Sequence, residues 1–237
     1  VTALAATDLR DALQRYLTIE NSRFALSGNL TAEQFASLVN RYVRLPASYQ
    51  PDVTLASAQI DRLGTLHKVH RDIPQTVTMF VTPGIARQDD AFYAAYLFNQ
   101  MVGGSTLTSL FGKAIREEQG LAYSVFSTID GAALSPTFGG MFATRHDQAQ
   151  HALTLLKQTA QGIAEQGVTD ALLRDTKAHV KGSFVLSMDT NSEITAYLIA
   201  MQRYQLGIDY FARRDALMDA VEQQDINQIA KRLLNPN

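Results

Sequence analysis

The sequence predicts an α+β fold, a mixed but mainly antiparallel sheet with helices packed on one face. Three observations point there. Strand patterns gather between residues 76 and 144, helical periodicity fills residues 147–234, and the two do not alternate as a doubly wound fold requires. Hydrophobic residues make up 46% of the 237, enough for a packed core, and a charged share of 19% argues against disorder.

The first 45 residues read as helix, strand, helix. Thr7 is placed to cap a helix over residues 8–17. Residues 23–27 (Arg-Phe-Ala-Leu-Ser) read as a short strand, and Gly28-Asn29 turns the chain. Thr31 with Gln34 fits a capping box for a helix carrying Phe35, Leu38, Val39 and Tyr42, which Pro46 closes. Residues 46–72 lose all periodicity and read as a linker that lends one strand near residues 66–71.

Residues 73–237 hold the larger unit. Residues 76–82 alternate, with Val77, Met79 and Val81 on one face and Phe80 among threonines on the other. A helix from Asp89 or Asp90 runs to Gly103-Gly104, and a second, over residues 108–119, stops at Gly120. Strands over 122–130 and 137–144 are joined through residues 131–136 as a hairpin or near-hairpin. A helix over 147–166 carries Ala149, Leu153, Leu156, Ala160 and Ile163 inward. Helices over 169–188, 191–206 and within 210–234 finish the chain, the second opened by a Thr190/Glu193 capping box. No strand follows the last helix, so the unit is expected to lack its final strand.

Composition narrows the chemistry. A net charge of -2 gives no footprint for nucleic acid or an anionic membrane. The absence of cysteine excludes disulfides, iron–sulfur clusters, thiolate-ligated zinc and a thiol nucleophile. No apolar run reaches the roughly 18 residues that span a bilayer. The five histidines, His67, His70, His146, His151 and His179, do not fall at metal-ligand spacings, because zinc needs three or four converging ligands. Gly103-Gly104-Ser105-Thr106-Leu107 lacks the second glycine of a nucleophile elbow.

One segment carries more, residues 111–125. Arg116 falls in the last turn of a helix, Gly120 ends it and Tyr123 opens the next strand. A helix–glycine–strand turn of this length brings a guanidinium and a phenol to one edge of a sheet. A cation in the last helical turn also complements the helix dipole, and tyrosine is an ordinary strand residue, so spacing alone leaves both readings open.

The run Ile115-Arg116-Glu117-Glu118-Gln119-Gly120-Leu121-Ala122-Tyr123-Ser124 resembles the Arg…Gly-Leu-Ala-Tyr-Ser element of the insulinase/pitrilysin family of zinc metallopeptidases, the inverzincins, which include the mitochondrial processing peptidase subunits. Gly103-Gly104 and residues 107–111 precede it as in that family, and residues 225–234 and the opening up to Gly28 also match. The resemblance implies one half of a two-repeat clamshell. The zinc-binding half carries His-x-x-Glu-His on a helix, and this chain contains no such motif. Residues 1–45 then finish the first repeat, 46–72 link, and 73–237 are most of the C-terminal half, with the natural N-terminus expected further upstream.

The implied function is the C-terminal half of a zinc-dependent metalloendopeptidase that acts on peptides or small unfolded proteins. Zinc belongs to the other half or a partner subunit, and none is expected in this chain, which alone is expected to hydrolyse nothing. Arg116 and Tyr123 would assist catalysis, the tyrosine donating to the oxyanion and the arginine holding a peptide carbonyl. The other reading is a non-catalytic relative that serves as partner subunit or scaffold, as in the respiratory bc1 complex. Residues 23–27 are further expected to complete the second sheet, in cis or by exchange in a homodimer. Exported bacterial relatives point toward the periplasm.

Overall fold

The computed structural model describes residues 3–47, 55–60, 62–104 and 108–234. The chain forms two compact units, residues 1–56 with 184–210, and residues 57–183 with 211–237.

The first unit contains helices α1 (Ala6–Tyr16) and α2 (Ala32–Tyr42). At α1 the Asp8 carboxylate accepts from the Ala5 amide, so the cap comes from inside the helix rather than from Thr7. At α2 the expected box forms: Thr31 Oγ1 accepts from the Gln34 amide at 3.2 Å, and Gln34 Oε1 accepts from the Thr31 amide at 2.9 Å. Residues 23–27, expected as a strand, form none, so the expected completion of a sheet by this segment is not made within the chain. A strand needs a ladder partner. Here the Phe24 carbonyl accepts instead from the Gln202 amide side chain, and Ser27 Oγ donates to Asn191. The strand expected near residues 66–71 is also absent, for lack of a neighbouring ladder.

Helix α5 (Asp170–Leu186) begins in the second unit and ends in the first, where α6 (Asn191–Arg203) follows. The Thr190/Glu193 box opens α6 as expected, with Thr190 Oγ1 bonded to both the Glu193 amide and its carboxylate. The Thr190 hydroxyl, then Asp189, holds the Glu193 carboxyl below its usual range, and Glu193 in turn pushes Asp189 up.

The second unit is the α+β core. Strands β1 (Thr76–Pro83), β2 (Val125–Asp130) and β3 (Thr137–Thr144) form an antiparallel sheet in the order β1-β3-β2. The β2–β3 hairpin closes through residues 131–136, as expected, with Val125 opposite Phe142 and Asp130 opposite Thr137. Helices α3 (Phe92–Asn99), α4 (Ala149–Gln166), α7 (Tyr210–Asp219) and α8 (Gln223–Leu234) supply the rest, and α3, α4 and α8 pack on the sheet. A π-helical turn, Gln100–Gly104, prolongs α3.

Period-two alternation decides which face is covered. On β1, Phe80 and the threonines turn inward, while Val77, Met79 and Val81 stay exposed. Thr82 Oγ1, turned inward, donates to the Leu233 carbonyl at the end of α8. Phe138 and Phe142 of β3 point to the same side and are fully buried. The Phe138 ring lies 6.0 Å from Phe80 and 6.3 Å from Phe98 of α3, and Phe80 meets Phe111 edge to face at 6.1 Å. Gly140 makes this possible. A side chain there would collide with the Phe126 carbonyl and the Phe80 ring. On α4 the buried stripe is Ala152, Leu156, Ile163 and Ala164, so the helix is turned slightly from the expected face while Ala149, Leu153 and Ala160 end up half-buried.

Candidate assisting active site

The segment singled out in the sequence is built from a short helix, a glycine and a bend. Ser109, itself buried, starts it. Its Oγ accepts from the Gly112 amide at 3.2 Å and its carbonyl from Lys113 at 2.8 Å. The helix then widens into a π-helical turn, Gly112–Glu117, with the Glu118 amide donating to Lys113 five residues back. Phe111 and Ile115 are buried and fix the turn to the core. Arg116, one position on, is half-buried in the last turn.

Gly120 ends the helix with φ +60, a conformation that costs other residues strain. Its amide donates to the Arg116 carbonyl at 3.0 Å, and the Leu121 amide to the Ile115 carbonyl at 2.9 Å. The Leu121 carbonyl accepts from Thr144 Oγ1, a buried hydroxyl at the end of β3. The chain therefore does not enter the sheet at Ala122, as expected, but bends and joins it at Val125. Within that bend Ala122 and Val125 are buried, and Tyr123 between them is 95% exposed. A large aromatic held in water next to a fixed backbone gains nothing from burial, which sets it apart from an ordinary strand tyrosine.

Arg116 and Tyr123 thus flank one turn, the first half-buried at a helix end, the second fully in solvent. Sequence reading overlooked Ser109 and Thr144. Ser109 had a local signal, a serine three residues before a helical amide, but Thr144 lies 23 residues from its acceptor and left none. Ser105–Leu107 of the glycine-rich stretch lie outside the described residues.

Zinc does not fit this chain's described residues. Among them no three His, Asp or Glu side chains converge. His146 is engaged on both ring nitrogens, Nε2 on the Ile73 carbonyl at 2.9 Å and Nδ1 on Thr76 Oγ1 at 2.8 Å, and His67 Nε2 meets Thr65 Oγ1 at 3.3 Å. A carbonyl can only accept, so His146 carries its proton on Nε2. The chain dialysed against zinc-free buffer is expected to hold far less than one equivalent of zinc by atomic absorption. A stoichiometric, non-exchanging ion would contradict this.

The family described as peptidase M16 inactive domain matches residues 3–180. An uncharacterized zinc protease of Mycobacterium leprae is 26% identical over 247 aligned residues, covering 99% of this chain and 53% of that protein. The crystal structure of a peptidase M16 inactive domain from Pseudomonas fluorescens superposes with a TM-score of 0.62 at 25% identity, covering 69% of this chain and 38% of the other. A protease from Helicobacter pylori shares the fold with a TM-score of 0.81 at 13% identity, covering 98% of this chain and 56% of that one. The chain spans about half the length of these longer proteins. Among the described residues, no helix is long and apolar enough to cross a membrane.

Proposed function

This chain belongs to the peptidase M16 inactive-domain family, and from that premise we propose that it lends Arg116 and Tyr123 to a zinc peptidase site whose metal is held by another half or a partner subunit. The family itself is the non-catalytic domain of zinc proteases. Its metal, when bound elsewhere, supplies the activated water and polarises the scissile carbonyl. The residues of this chain do the remaining work, which is electrostatic. Tyr123 donates its phenolic hydrogen to the oxygen that gains charge as the carbonyl becomes tetrahedral. Arg116 presents a planar guanidinium to a peptide carbonyl on the same side. The substrates are peptides or small unfolded proteins, whose backbone carbonyls are all alike to such donors. Residues 1–45 are proposed to finish the first repeat.

One observation carries the reading. Tyr123 is 95% exposed on a backbone anchored on both sides, which makes it available to a site outside this chain's core. Preorganised donors cost no rearrangement at the moment of reaction, and that is what such anchoring provides.

The arginine is the part of the proposal most easily separated from packing. In the whole protein Arg116→Lys keeps the charge and loses the fork, so kcat/KM is expected to fall by roughly 10–10²-fold, or about 1.5–3 kcal/mol, the worth of a hydrogen bond to a charged group. Peptide-cleavage kinetics check this. An unchanged kcat/KM with Lys would leave Arg116 as a helix-end cation and no more.

A further inference from the structure

We propose that Thr144 is the positioning residue for Tyr123, an inference that rests on the oxyanion reading above and deepens it. The argument begins with what holds the tyrosine. Its ring is 95% exposed, so side-chain packing contributes little, and its position is set by its own backbone. That backbone joins two well-fixed elements. On one side the Gly120 and Leu121 amides bond back to the Arg116 and Ile115 carbonyls of the π-helical turn. On the other side the first ladder pair of β2 is Val125 with Phe142.

Between them the Leu121 carbonyl, two residues before Tyr123, is taken by Thr144 Oγ1. Thr144 is itself buried and sits at the last position of β3, opposite Thr76 of β1, so the sheet holds its backbone. A β-branched residue in a strand has a restricted χ1, and its hydroxyl is therefore aimed rather than merely present. The bond thus ties the bend to the sheet and fixes how far Tyr123 projects from the sheet edge. Small misplacements of a donor are costly even when the residue that causes them is remote from the chemistry.

The test is a set of variants in the whole protein, assayed on a peptide substrate. Thr144→Val keeps shape and loses the hydroxyl, whereas Thr144→Ser keeps the hydroxyl. Thr144→Val is expected to lower kcat on the order of 10–10²-fold with KM little changed. Thr144→Ser should run close to the parent. In a Tyr123→Phe background Thr144→Val should have almost no further effect, because the hydroxyl it positions is already gone.

A Val variant with parental kcat, beside a Tyr123→Phe variant that has lost turnover, overturns the positioning role and leaves the oxyanion reading standing. A Val penalty that persists in full in the Tyr123→Phe background makes Thr144 merely structural and also overturns it. A Tyr123→Phe variant with parental turnover defeats both readings together. Should Thr144→Val fail to fold, Thr144→Ala, which also removes the hydroxyl, takes its place in the same assays: a loss of kcat that disappears in the Tyr123→Phe background supports the tie, and a parental kcat refutes it.

Discussion

If Tyr123 is the oxyanion donor proposed above, Tyr123→Phe is expected to lower the turnover number of the whole protein on the order of 10²–10³-fold, about 2.7–4 kcal/mol, the usual result of deleting one such donor. The KM is expected to change little, because the ground-state carbonyl is a weaker acceptor than the charged oxygen that replaces it. The split follows from the geometry. The ring is 95% exposed, so removing one oxygen atom creates no cavity and leaves no buried group unsatisfied. Stability of the chain should therefore stay within about 0.5 kcal/mol of the parent, as for surface substitutions in general. Matched kinetics and thermal melts check both halves. A parental turnover number would remove the tyrosine from the mechanism.

Phe138→Ala has the largest expected effect on stability, a loss of about 3–5 kcal/mol. Phe138 is fully buried in the central strand and touches rings on both sides, Phe80 of β1 and Phe98 of α3. Removing it leaves a cavity where strand and helix meet, and a close-packed core relaxes only in part. Met79→Ala is the control. Met79 lies on the open face of the same sheet at 76% exposure, and its removal should cost no more than about 0.5 kcal/mol. Urea unfolding of the chain measures both. Equal losses at the two positions would mean that the helices do not cover the face described.

The sequence disclosed those parts of the fold that depend on neighbours along the chain. Two capping boxes, the β2–β3 hairpin and the helix stops at Gly120, Gly167 and Gly207 each involve residues a few positions apart, where spacing is informative. The missed parts depend on distant groups. Residues 23–27 have strand composition but no ladder beside them, and local propensity cannot report a missing partner. The π-helical turns, with amides bonding five residues back, have no side-chain signature. Tyr123 has the β-propensity to open a strand, yet the chain enters the sheet only at Val125, past a bend whose Leu121 carbonyl is bonded to the distant Thr144. The candidate site was named by resemblance. Its physical peculiarity, a tyrosine raised into solvent between buried Ala122 and Val125, needed coordinates.

Affinity for a phosphinic peptide gives the most direct reading of what the phenol does, since its tetrahedral, negatively charged centre mimics the state Tyr123 is held to stabilise. If the account is right, Tyr123→Phe weakens analogue binding to the whole protein by about the same factor as kcat/KM, while zinc content stays constant. Analogue affinity equal to that of the parent, in protein with its full complement of zinc, would contradict it.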